Sequence, residues 1–166
     1  MWRFLVALIV LGLFAATPSQ ARDRELLVWG ASHHFDPAPQ GYSWNEINPG
    51  FGLRVYAESC GPLECFAELD YIARNSKDGS FMILGAGVQY PLVTGRHGAF
   101  VVGVVGGIGR YENTWTNENV VLGGGYPFIG VRHKRSTLYI GYIPKIRHNG
   151  DDSSEAVVIS AGYRSK

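Results

Sequence analysis

Hydrophobic and polar residues alternate along most of this chain with a period of two. Phe51, Leu53, Val55 and Ala57 share one face, opposed by Gly52, Arg54, Tyr56 and Glu58. The next segment sets Cys65, Ala67, Leu69, Tyr71 and Ala73 against Glu64, Glu68, Asp70 and Arg74. Towards the C-terminus, Val157, Ile159, Ala161 and Tyr163 oppose Ser160, Gly162 and Arg164. Successive strand side chains point to opposite faces, so this is β patterning and not the 3.6-residue period of a helix. Extended segments are predicted near 26–34, 48–59, 64–75, 79–90, 98–111, 119–132, 136–144 and 155–164. Turn signals such as Asp36-Pro37, Cys60-Gly61-Pro62, Lys77-Asp78-Gly79 and Asn149-Gly150 separate them. Eight strands at this spacing predict a sandwich or a barrel.

The same alternation has two physical meanings. In a water-soluble sandwich the apolar face is core; in a membrane barrel it meets lipid, and the polar or small face lines the lumen. Several segments are long enough for the roughly 9–11 tilted residues that cross a bilayer. Tyr56, Tyr71, Tyr90, Tyr111, Trp115, Tyr126, Tyr139, Tyr142 and Tyr163 fall near predicted strand ends, where interfacial girdles lie. The expectation is an all-β, eight-stranded antiparallel up-and-down transmembrane β-barrel over 22–166. Composition agrees, with 46% hydrophobic and only 17% charged residues. The 22 glycines among 166 residues suit a narrow lumen. Gly-x-Gly steps such as Gly85/Gly87 and Gly107/Gly109 lack the strand-to-helix setting of a dinucleotide loop. A net charge of +1 with dispersed basic residues argues against a nucleic-acid partner.

The N-terminus joins Arg3, an apolar run from Phe4 to Ala16, and Thr17-Pro18-Ser19-Gln20-Ala21. That layout predicts a secretory signal peptide over 1–21, with export through the periplasm to the outer membrane of a Gram-negative bacterium. Its removal takes away Arg3 alone and leaves acidic and basic residues balanced. In an oxidising compartment, Cys60 and Cys65 predict a disulfide at a hairpin end, their spacing differing from a redox C-x-x-C. His33, His34, His97, His133 and His148 show no metal-ligand spacing, so neither metal nor cofactor is expected.

His33-His34 closes the first predicted strand at a rim, where adjacent residues face opposite ways, and Asn75-Ser76 ends the third. A serine beside a histidine, with an amide or carboxylate orienting the imidazole, is the minimum for acyl transfer. Gly41-Tyr42-Ser43-Trp44-Asn45-Glu46-Ile47-Asn48-Pro49-Gly50-Phe51-Gly52-Leu53, Ala73-Arg74-Asn75-Ser76-Lys77 and Tyr142-Ile143-Pro144-Lys145-Ile146-Arg147-His148-Asn149-Gly150 together resemble the lipid A palmitoyltransferase family of eight-stranded outer-membrane barrels. The resemblance implies transfer of a palmitoyl chain from phospholipid to lipid A. It assigns His33 as base, with His34 as the register alternative, Ser76 as nucleophile or oxyanion support, and Asn75 as orienter. Asn75 stands where that family has aspartate, and Asp78 is the nearest carboxylate that could replace it.

Proline cannot donate a ladder hydrogen bond, so Pro49, Pro127 and Pro144 are expected to leave gaps in the barrel wall, and the resemblance implies that such gaps admit lipid sideways. Beside the soluble periplasmic sandwich, two readings stand for an outer-membrane monomer whose expected partners are phospholipid and lipid A. One is an acyltransferase; the other is a non-catalytic barrel of the same fold that binds lipid or alters the surface.

Overall fold

The computed structural model describes residues 23–96, 98–145, 147–148, 151–152 and 154–165. The expected signal peptide, 1–21, and His97 lie outside the described residues. Strands β1 (Arg24–His34), β2 (Ile47–Tyr56), β3 (Glu64–Ile72), β4 (Asp78–Gly95), β5 (Gly98–Asn113), β6 (Glu118–His133), β7 (Ser136–Ile143) and β10 (Ala156–Ser165) close an antiparallel barrel. Between β7 and β10, the two-residue strands β8 (Arg147–His148) and β9 (Asp151–Asp152) form a separate pair. The bounds follow the expected segments closely except in β4, which runs on through Tyr90 to Gly95 by way of a register shift between Pro91 and Val93.

The outer wall is apolar. Leu26, Val28, Phe51, Leu84, Val104, Ile129, Leu138 and Ile159 are all exposed, a continuous surface that water would not tolerate and lipid would. Tyr71 and Tyr142 stand outward near one end of the barrel, Tyr90 and Tyr163 near the other, which gives the two aromatic girdles. Tyr56, Tyr126 and Tyr139 correct that expectation, as does Tyr111, which lines the lumen. Tyr56 and Tyr139 are buried in the lumen and Tyr126 packs against the same cluster, because each shares parity with inward neighbours; Tyr56 follows Arg54 on the inner face of β2.

The lumen is filled at the end that carries the described termini. Arg54 donates through Nε to Glu68 at 2.6 Å and lies over the Phe66 ring at 4.0 Å. Glu25 accepts from Tyr56 Oη at 2.6 Å and from Tyr139 Oη at 2.9 Å. Arg132 holds Glu64 with two bonds, 3.0 and 2.7 Å, and Arg164 joins the same carboxylate at 3.3 Å. Charges buried this deeply need such mutual pairing. The aromatic rings fit because glycines face them: a Cβ at Gly87 would lie 2.4 Å from Phe66, and one at Gly103 would lie 2.3 Å from Phe128. Cys60 and Cys65 are disulfide-bonded across the β2–β3 connection, Cα to Cα 5.9 Å.

Candidate functional site

Above this floor, towards the β1–β2 loop, the lumen opens into a chamber of about 220 Å³. Trp29, Ile72, Phe81, Ile83, Val105, Tyr126 and Val158 supply its apolar wall, with glycines of β5 and β6 between them. Ser32, His34, Trp44, Asn48, Asn75, Ser76 and Lys77 supply its polar contacts.

His34 enters the chamber because β1 slips. Glu25, Leu27 and Trp29 face inward, the register shifts between Trp29 and Ala31, and from there Ser32 and His34 face inward. Only one of the adjacent histidines can share that face: the His34 side chain is 5% exposed and that of His33 72%. His33, the residue first expected as base, therefore points out of the lumen. Its Nδ1 lies 3.3 Å from Glu46 Oε2, while His34 Nδ1 lies 3.4 Å from Glu46 Oε1. The backbone N–H of His34 also donates to Glu46 at 3.1 Å. Burial opposes charge on Glu46, but these bonds from His34 outweigh it and hold the carboxyl below its usual range.

Asn75 and Ser76 reach the same chamber, yet Asn75 does not orient a histidine. Its Oδ1 accepts from the N–H of Lys77 at 2.8 Å and of Gly79 at 3.1 Å. Its Nδ2 donates to Ser80 O at 3.2 Å and Glu112 O at 3.0 Å. An amide has two donors and two acceptor positions, so its capacity is complete. Among the described residues no hydrogen bond joins His33 or His34 to Ser76 or Asn75; their imidazoles turn to Glu46 instead. Asp78 is an exposed turn residue at φ 63° whose Oδ1 pairs with Arg74 Nε at 2.7 Å, not a replacement for the missing aspartate.

Trp115, expected in a girdle, instead joins Trp44 and Tyr42 in an aromatic stack at the chamber's rim. Trp44 stacks on His34 with centroids 4.6 Å apart, Trp115 lies 4.9 Å from Trp44, and Tyr42 stacks on Trp115 at 4.6 Å. Asn45 laces this loop to the β3–β4 turn, its N–H donating to Ser76 O at 3.0 Å and its Nδ2 to Asn75 O at 3.1 Å. Nothing in the sequence placed Glu46, Trp115 and Lys77 together at this chamber, since each meets its partners only after the loops converge.

The prolines divide. Pro49 marks a bulge, where Asn48 and Pro49 oppose Gly30 alone and pairing resumes with Ser32 N–H donating to Glu46 O at 2.9 Å. Pro127 marks a seam. β6 pairs with β7 only from Phe128↔Gly141 to His133↔Ser136, so among the described strands residues 118–127 pair with β5 alone. Pro144 stands immediately beyond β7, on the other side of that seam.

No protein-family model matches the chain, and no curated protein does. Solved structures do. The chain is similar to Neisserial surface protein A at 17% identity and a TM-score of 0.55, over 87% of this chain and 96% of that one. Ail, the attachment invasion locus protein of Yersinia pestis, aligns at 14% identity and a TM-score of 0.45, over 87% and 97%. The likeness to the Neisserial protein reaches the fold, not the palmitoyltransferase resemblance. With the lipid-facing exterior, it establishes this chain as an eight-stranded outer-membrane β-barrel.

Proposed function

We propose that this protein is a non-catalytic outer-membrane barrel that holds an acyl chain of a membrane lipid in its loop-end chamber. The division of the lumen carries this reading: a charged, closed floor at one end, and at the other an apolar chamber beside an unpaired stretch of wall. An acyl chain passing from the bilayer through the Pro127–Pro144 seam breaks no β6–β7 ladder bond and meets apolar side chains inside. The prediction is tested by native mass spectrometry of barrel purified from membranes. Phospholipid or lipid A is expected to copurify, and Val158→Trp, which fills the chamber, is expected to expel it. Wild-type barrel that carries no lipid would overturn the reading.

Acyl transfer is the second reading, favoured by His34 and Ser76 lining one chamber. Against it stands the fully committed amide of Asn75. Mass spectrometry of envelope lipids with and without expression separates the two. Binding alone leaves every lipid unmodified; an acyl gain abolished by His34→Ala or Ser76→Ala establishes transfer.

A further inference from the structure

We infer that the chamber takes a single-chain amphiphile with an anionic head, a carboxylate or a phosphate, recognised by Lys77. The inference rests on the acyl-chain reading above and names the class of lipid. Lys77 is 9% exposed and lines the chamber. Its Nζ lies 3.3 Å from Tyr111 Oη and 5.5 Å from the ring centroids of both Tyr111 and Trp115. Among the described residues no carboxylate lies within ion-pair distance of it. Arg54, Arg132 and Arg164, the other cations inside the barrel, each have one.

A buried ammonium without a counter-charge is costly, and tyrosine and indole faces offset only part of that cost. The residue is also held from both sides of its backbone: its N–H donates to Asn75 Oδ1, and its carbonyl accepts from the Thr114 hydroxyl. The side chain is thus presented at the chamber mouth by a fixed turn.

Two further groups point to a polar head. Ser32 Oγ and Asn48 Oδ1 are buried, line the same chamber and have no hydrogen-bond partner. Buried polar atoms are rarely left so, and together they offer one hydroxyl donor and one acceptor in the chamber that Lys77 also lines. The chamber's volume, about 220 Å³, lies below the roughly 300–1,000 Å³ of pockets that enclose larger ligands. One chain fits that space better than two.

The test uses the folded barrel in zwitterionic micelles and three bromine-labelled probes: palmitate, palmitoyl lysophosphatidate and hexadecanol. Bromine in the chamber quenches Trp29, whose indole donates to Asp70 at 3.0 Å beside the floor. Lys77→Gln is expected to weaken both anionic probes roughly ten- to hundredfold, as for a lost charged hydrogen bond, and to leave hexadecanol unchanged. Lys77→Arg, which keeps the charge, is expected to retain most of the binding and guards against a misfolded turn. Heat-modifiable gel migration checks that each variant is folded. The tighter anionic probe identifies the head as carboxylate or phosphate. Equal binding of hexadecanol and the anions, with no effect of Lys77→Gln, overturns the inference while the chamber reading stands. Failure of all three probes on the wild type overturns both.

Discussion

Asn75 commits both ends of its amide to the backbone of its own turn and of β5, so the substitution that introduces the transferase family's residue removes both of its donor bonds. In Asn75→Asp the donor to Ser80 O and Glu112 O becomes an oxygen facing two carbonyls. The expected cost is about 1–3 kcal/mol, read from the urea midpoint, with no acyl transfer gained. Glu46 works at the same scale. Its carboxyl sits below the usual range because the His34 hydrogen bonds outweigh burial. A lowered carboxyl stabilises the fold above its unfolded pKa, and the contribution is lost as pH falls through the lowered folded value. The contribution of Glu46 to the loop around the His34–Trp44–Trp115 stack is therefore expected to persist through mildly acidic pH and to be lost only in stronger acid. Tryptophan emission followed against pH checks this, and Glu46→Gln is expected to remove the step in strong acid.

At the scale of elements, β6 divides into two halves. Residues 128–133 are paired on both sides, whereas 118–127 have only β5 beside them. Amide exchange in micelles is expected to be faster in the upper half, and equal protection would close the seam. The lower half of the barrel was legible from sequence because regular strands preserve the two-residue period: Arg54, Glu68 and Ser160 face inward as the alternation in β2, β3 and β10 predicts. The upper half was not. One register shift between Trp29 and Ala31 reverses the parity of β1 and exchanges His33 for His34. Such a shift is defined against partner strands, so nothing within the His-His pair announces it. Lys77 likewise sits in a Lys-Asp-Gly turn that suggests a solvated cation, until Tyr111, 34 residues away, is folded over it.

For the whole molecule, the consequence of a filled floor is that the barrel is a receptacle and not a pore. Planar bilayers containing it are expected to show no steady conductance, since Arg54, Glu68, Glu25, Tyr56 and Tyr139 occlude the lumen below the chamber. The same group sets stability through its central cation. Arg54→Ala leaves Glu68 buried at 2% exposure with its Arg54 bonds gone, a loss expected to cost about 3–5 kcal/mol. Glu25 is better protected, because two tyrosine hydroxyls still bond it. The deficit is thus concentrated on one carboxylate, which makes it separable: Arg54→Met combined with Glu68→Leu removes both charges at similar volume and is expected to recover most of the loss. Denaturant unfolding of the single and double variants measures the difference. A double variant no more stable than Arg54→Ala would place the stability of the floor in its packing against Phe66 and Phe128 and not in the ion pair.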